Sequence, residues 1–495
     1  MARTAAGIAG IASAACGTAA AQLLAALINP AAGPVVAVGA VLIDLSPAPV
    51  KEWAVATFGT ADKLVLLAGV LAVVAGLAAA AGVLALRRPA VGTAIFVIVG
   101  ALGSLAAATR PAAGLVDVVP GLLGTVVAVL LLRRQLTWLS APRPGRAEGG
   151  FDRRVLLTGA VGVAAAGFAA GIDSRQTTVV ESITLPPPVD PQPALPSGLE
   201  PTVPGITPLR TPVPDFYRVD TALVVPQLAP EDWTLSIEGL VGAPYELSWT
   251  ELIALPMIER DITLTCVSNE VGGPYCGSTR WLGVPVAEVL RRARPDPSAD
   301  MVLSHSVDGF TASTPLAVLL DGRDAMIAVA MDGRPLDPVH GFPARLLTPG
   351  LYGYVGATKW LTRLKVTTFA ADEAYWTVRG WAEQAPVKTA CRIDTPRGQV
   401  TGGAVVVGGV AWATHRGIGR VEVRVDDGPW QEATLGPDVG LDYWRQWYFR
   451  WQASPGRHRL AARAYDASGV PQVAEVAGVL PDGATGYHVV ELTVV

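Results

Sequence analysis

Two stretches of the chain hold residues that could do chemistry. The first is Asp261-Ile262-Thr263-Leu264-Thr265-Cys266-Val267-Ser268-Asn269-Glu270, an apolar strand ending in a cysteine, then a polar stretch running to Gly273. Three readings of Cys266 stand side by side. It is a small buried hydrophobe, or a nucleophile wanting a histidine base that the sequence does not identify, or a lone thiolate ligand to a soft metal held mainly by something else. The second stretch is His340-Gly341-Phe342-Pro343-Ala344-Arg345, followed by Pro349-Gly350 and Gly356-Ala357-Thr358-Lys359-Trp360. An imidazole, a guanidinium and an ammonium fall close together among Gly/Pro turns. Such groups suit a polyanionic ligand, Arg as a bidentate fork and Lys as a point charge. The bland alternative is solvated surface charge, which turns set between apolar strands disfavour. Common catalytic signatures (G-x-S-x-G, P-loop, H-E-x-x-H, C-x-x-C) do not occur.

The elements that must position these residues are unevenly distributed. Of 495 residues, 51% are hydrophobic and 16% charged, against about a quarter charged in soluble domains. The apolar excess lies in residues 1–172. A net charge of -4 excludes a nucleic-acid binder working through bulk charge. Four cysteines exclude a disulfide scaffold. Cys276 and Cys391 are left open as a pair. His305, His415, His458 and His488 read as structural or surface residues.

Apolar runs at 4–28, about 64–86, 91–109 and 117–132, and Val155 to Ile172, are each long enough to cross a bilayer as a helix. A shorter run, 34–43, reads as re-entrant or interfacial. Arg87, Arg88, Arg133, Arg134, Arg153 and Arg154 fall on one side of the five crossings, Lys51, Lys63 and Arg110 on the other. The positive-inside rule then puts everything after residue 172 outside the cytoplasm. Arg153-Arg154, in Phe151-Asp152-Arg153-Arg154-Val155-Leu156-Leu157, is either a twin-arginine-like export signal or a pair of ordinary stop-transfer arginines. No span contains histidine, so a haem held between two transmembrane histidines is excluded, and anchoring is the favoured role.

Residues 173–215 read as a linker. Eleven prolines between Pro186 and Pro214 predict an extended, semi-rigid spacer. From 216 to 384 short strands such as Trp233–Ile237 alternate with helices such as Val286–Ala293, an α+β domain. From 385 to 495 the pattern is all-β. Val421, Val423 and Val425 alternate with Glu422 and Arg424 before an Asp426-Asp427-Gly428 turn, and Trp447, Phe449 and Trp451 alternate likewise. This predicts an immunoglobulin-like sandwich without chemistry of its own.

Cys266 with Asn269 three residues on, the H-G-F-P-x-R run at 340–345, the P-G at 349–350 and the K-W-L at 359–361 together resemble the sulfite oxidase family of molybdenum enzymes. The β-rich tail resembles that family's dimerisation domain, and the five-span front end a membrane-anchored bacterial branch. The likeness covers about 216–495. It implies a molybdenum–molybdopterin cofactor, with Cys266 as the protein's sole metal ligand beside two pterin dithiolene sulfurs. Asn269, His340, Arg345, Thr358 and Lys359 would hold the pterin and its phosphate. Tyr217 and Arg218 fall where the family's leading strand touches the cofactor, and Asp308 is a further carry-over. The implied reaction is oxygen-atom transfer coupled to two electrons. No haem is expected, so the electrons pass to or from a separate partner protein. The partners implied are thus a small-molecule substrate, that redox protein, the lipid bilayer and a second copy through the C-terminal domain. The chain departs from the pattern at two places. Glu270 and Val271 stand where sulfite oxidases carry two arginines, and Val378 stands where they carry a substrate-side tyrosine, with Tyr375 nearby as a substitute. A carboxylate in place of a cation argues against sulfite as substrate. The rival class is a non-catalytic cell-surface binding protein on a membrane stalk.

Overall fold

The computed structural model describes residues 2–47, 50, 53–54, 57–58, 61–110, 113–140 and 183–495. They form two compact units, Met1–Val179 with Thr221–Gln227, and Val180–Asp220 with Leu228–Val495.

Among the described residues of the first unit four helices are long and apolar enough to cross a membrane: Arg3–Ile28, Asp62–Ala85, Pro89–Ala108 and Leu115–Leu139. The short apolar run is a helix, Pro34–Leu45. Small residues let these helices approach closely. A methyl group added at Gly10 would collide with the Ala78 carbonyl, one at Gly82 with that of Ala6, and one at Gly17 with that of Gly124. Side-chain-free seams of this kind replace hydrophobic driving force where the surroundings are as apolar as leucine. Leu64, Val73, Leu102, Leu105 and Leu130 face outward. The expected fifth run and its paired arginines lie outside the described residues.

The second unit begins with a correction. Residues 183–215 run without regular strands, with turns near 199–205 and a 3-10 turn at Val213–Asp215, but they are not a free spacer. Val203, Ile206 and Leu209 are buried. Val189 N–H donates to Met257 O at 2.8 Å and Thr211 N–H to Ser278 O at 2.8 Å. Apolar side chains between the prolines gain by burial what proline-rich backbone cannot gain by pairing.

Beyond it, one sheet runs Tyr245–Ser248, Thr234–Gly239, Leu361–Thr367, Met301–Ser306, Thr311–Pro315. Ser236 lies opposite Arg363 in its one parallel pairing. A second sheet runs Ile258–Thr265, Cys276–Pro285, Met326–Met331, Arg334–Pro335, with Arg345–Leu347 also paired to Met326–Met331. Helix Val286–Ala293 buries Val286, Val289, Leu290 and Ala293 at helical spacing. Its Arg291 and Arg292 complement the negative end of the helix, and Arg294 closes it in the left-handed region, φ 58°. Trp233, Leu235 and Ile237 pack into the same core.

The C-terminal part is a β-sandwich. Ala390–Thr395, Gly403–Trp412, Arg445–Ala453 and Thr434–Leu435 form one sheet; Gly398–Val400, His488–Val494, Gly456–Asp466, Ile418–Val425 and Gln431–Glu432 form the other. Val407, Trp447, Val421, Val423 and Leu460, from both sheets, share its core.

Candidate active site

Strand Ile258–Thr265 pairs with Cys276–Pro285, Thr265 opposite Cys276. Just past the pairing, Cys266 N–H donates to Tyr275 O at 3.0 Å, and the chain turns, Asn269 N–H reaching Cys266 O at 3.1 Å. Gly272, at φ +80°, makes the return. Asn269, buried, accepts from Tyr275 N–H at 2.8 Å, so its side chain closes the loop on itself. The outcome is a half-buried thiol, Cys266 Sγ, 2.9 Å from Ser268 Oγ. Burial pushes the Cys266 thiol up, against hydrogen bonds from Ser268 and the Val267 backbone that favour the thiolate. A bound cation would tip that balance to sulfur anion.

The second group lies on turns and a short strand. His340 ends the turn Pro338–His340, and Gly341 follows at φ +109°. A methyl at 341 would lie 3.0 Å from Lys359 Cα and 3.2 Å from Arg345 Cβ, so only glycine lets the two cation-bearing segments meet. Arg345 is 5% exposed, yet its Nε has no hydrogen-bond partner. Its Nη1 donates to His340 O at 3.1 Å, and its guanidinium carbon stands 5.3 Å from the Trp281 ring centre. Lys359 Nζ donates to Asp220 Oδ2 at 2.8 Å and Val339 O at 2.9 Å. Arg218 Nε holds the same carboxylate at 2.8 Å. Burial brings Arg345 down to about 10, Lys359 to about 8 and His340 to about 4, and the neighbouring Arg345 and Lys359 charges add to the effect at His340. Asp220 is thus shared by two cations while Arg345 has no carboxylate among its hydrogen-bond partners. A buried cation without a counter-ion is costly, and the donor set fits an anionic, phosphorylated ligand.

Tyr217 joins the two groups. Phe216 stacks on it at 5.4 Å and meets His340 edge-on at 5.9 Å, while Tyr275, from the Cys266 loop, lies 6.4 Å from the Tyr217 ring. Burial, then the sulfurs of Cys266 and Cys276, push the Tyr217 hydroxyl up, and Arg345 pulls it back, so Tyr217 feels both clusters.

Three expected residues sit differently. Thr358 is wholly buried and its hydroxyl bonds to Ser304 Oγ at 2.7 Å. Asp308 accepts from Phe310 N–H at 3.1 Å in the turn between Met301–Ser306 and Thr311–Pro315. Tyr375 packs on Phe310 at 5.8 Å, with Arg379 3.7 Å over its ring, and so belongs to that turn. Glu270 is exposed and Val271 is 36% exposed beside the Cys266 turn. All four cysteines are free, and Cys276 Sγ lies 3.2 Å from Thr265 Oγ1. Asp220 and Tyr275 were not anticipated. Asp220 was within reach, two residues after Arg218; nothing local marks Tyr275.

Residues 222–376 match the family described as oxidoreductase molybdopterin binding domain. The site-bearing part of the chain is therefore a molybdopterin-binding oxidoreductase domain. It is similar to sulfite oxidases: the chain is 29% identical over 301 residues to the mitochondrial sulfite oxidase of Mus musculus, covering 50% of this chain and 54% of that protein. It is also 27% identical over 310 residues to nitrate reductase [NADH] 1 of Oryza sativa subsp. japonica, covering 48% and 33%. The solved sulfane dehydrogenase SoxCD from Paracoccus pantotrophus aligns with a TM-score of 0.45 at 23% identity, covering 50% of this chain and 70% of that one. The chain spans about half the length of the sulfite oxidases it matches.

Proposed function

We propose that this chain is a membrane-anchored oxidoreductase carrying out two-electron oxygen-atom transfer outside the cytoplasm, on a substrate other than sulfite, with a separate protein as electron partner. Residues 1–172 are the anchor, 216–384 the oxidoreductase domain, and 385–495 an immunoglobulin-like module that pairs two copies in a bacterial cell membrane. One observation carries the reading: a buried guanidinium, Arg345, with an unpartnered Nε, bonded to His340, which the ring contacts of Phe216, Tyr217 and Tyr275 tie to the loop of the half-buried thiol. When bound, molybdenum held by a pterin would supply the oxygen-atom and two-electron chemistry. The chain's own residues do the rest. Cys266 offers the sulfur, and Ser268 with the Val267 amide favours its anionic form. Arg345, Lys359 and His340 would hold the pterin's phosphate, and Arg218 with Asp220 fixes the Lys359 ammonium. Glu270, an exposed carboxylate beside the Cys266 turn, disfavours an anionic substrate there. The fit is to a neutral oxygen donor or acceptor.

Elemental and pterin analysis of the purified full chain tests the reading. The expected result is near-stoichiometric molybdenum in the wild type, lost in Arg345→Met, with the bound metal's absorption altered in Cys266→Ser. A wild type that is folded, equally stable and metal-free would sink it and leave the non-catalytic cell-surface binding protein standing.

A further inference from the structure

The loop that carries Cys266 is held from outside its own domain as well as from within. Arg392, on sandwich strand Ala390–Thr395, is 8% exposed and sends its guanidinium out of the sandwich. Nη1 donates to Gly273 O at 2.9 Å, Nη2 to Thr207 Oγ1 at 2.8 Å, and Nε to Asp394 Oδ1 at 2.6 Å. Asp394 in turn accepts from Thr207 N–H at 3.0 Å. One residue earlier in the loop, His488 lies so close that a methyl at Gly272 would overlap its imidazole. The His488 Nδ1 accepts from Ile393 N–H at 2.9 Å. Burial holds this histidine down at about 4, so it is neutral near pH 7 and its proton is on Nε2, the nitrogen facing Gly272. The sandwich also reaches the strand that leads into the cysteine: Trp444 N–H donates to Thr263 Oγ1 at 2.7 Å, and Thr263 N–H to Asp442 O at 2.8 Å.

We propose that the β-sandwich is a working part of the active site, with Arg392 and His488 as positioning residues that fix the Cys266 loop from outside its own domain. The sandwich, expected to carry no chemistry, then sets how the sulfur is presented. The inference rests on the functional reading of Cys266, but its physical content is the rigidity of residues 266–275. The glycine at 272 fits the same account, because any side chain there would push the loop off the histidine. Arginine at 392 fits it too. Its planar fork spans three acceptors, which a lysine ammonium on the same stem cannot do.

The test uses the full-length chain in detergent without cofactor. Two variants approach the clamp from opposite sides, Arg392→Lys and Gly272→Ala. Two readouts follow them: amide hydrogen exchange over 266–275, and the rate at which an uncharged maleimide alkylates Cys266, with Cys266→Ser identifying the labelled site. Losing one charge-assisted hydrogen bond in Arg392→Lys, and in Gly272→Ala the overlap with His488 together with the strain of alanine at a positive φ, predict exchange and alkylation about ten-fold faster or more in each variant. Amides of Gly403–Trp412 and Arg445–Ala453 should stay within about two-fold of wild type. Unchanged loop exchange would overturn the proposal, and so would acceleration spread evenly through the sandwich, which marks a residue of general fold stability. Both readouts are made without metal, so a chain that never takes up molybdenum would defeat the functional reading while leaving this result readable.

Discussion

Replacing Arg345 by methionine should separate what the protein needs for folding from what it needs for its ligand. The guanidinium is buried, its Nε is unpartnered, and burial brings it from 12.5 to about 10. At pH 7 the charge is present in both folded and unfolded chains, so the whole cost of burying it, about 3 kcal/mol, opposes folding. Methionine removes that cost and fills a similar volume. It forfeits the Nη1 bond to His340 O, about 1.5–3 kcal/mol for a charged donor. The balance lies between no change and about 1.5 kcal/mol of added stability for the cofactor-free protein. An arginine fully paired for structural reasons would behave oppositely, its loss costing about 3–5 kcal/mol. Denaturant unfolding of the cofactor-free chain, followed by tryptophan fluorescence, measures the difference, and molybdenum and pterin content measure the other half. The expected pair is unchanged or raised stability with cofactor lost. A variant destabilised by 3 kcal/mol or more, or one that keeps its pterin, would refute the argument that this cation awaits an anionic ligand.

Other consequences follow from the same geometry. Lys359 titrates at about 8, so in the cofactor-free protein its charge, and with it the affinity for inorganic pyrophosphate, should fall as pH rises through 8; titration calorimetry should find the drop gone in Lys359→Arg. Asn269→Ala leaves the Tyr275 N–H without its acceptor and should cost about 1–3 kcal/mol in denaturant unfolding; a loss within 0.5 kcal/mol would mean that the loop closes without it. If Arg153-Arg154 is an export signal, changing both to lysine should leave the first four spans inserted and strand residues 216–495 inside. Normal accessibility of that region to external protease in the double mutant would count against it.

What could be read from the sequence was whatever local spacing encodes. Helix Val286–Ala293 has the expected ends because its apolar residues repeat at helical spacing. Val421 and Val423 face the sandwich core because strand alternation leaves no other choice. The 340–345 and 358–361 segments carry their glycine, histidine, arginine and lysine in readable order, and the cationic cluster is built from them. Side chains that work across long separations were not readable. Arg392 acts on a carbonyl 119 positions away, and Leu199 donates its amide to Gln446 across 247. Neither leaves a periodic trace, and His488 reads as an ordinary strand residue until Gly272 is seen beside it. The proline count of 183–215 misled for a related reason. It reports that the backbone cannot pair regularly, and says nothing of whether Val203, Ile206 and Leu209 find a surface to cover.

That strap has a consequence for how the molecule is made. Residues 183–215 leave the ribosome ahead of nearly everything they rest on: Ser278 for Thr211, Gln446 for Leu199, Trp444 for Leu209. The earliest piece of the second unit is thus seated among the last. Until translation has passed residue 446 the strap has no complete bed, and a chain truncated before that point should present it to proteases as loose polypeptide.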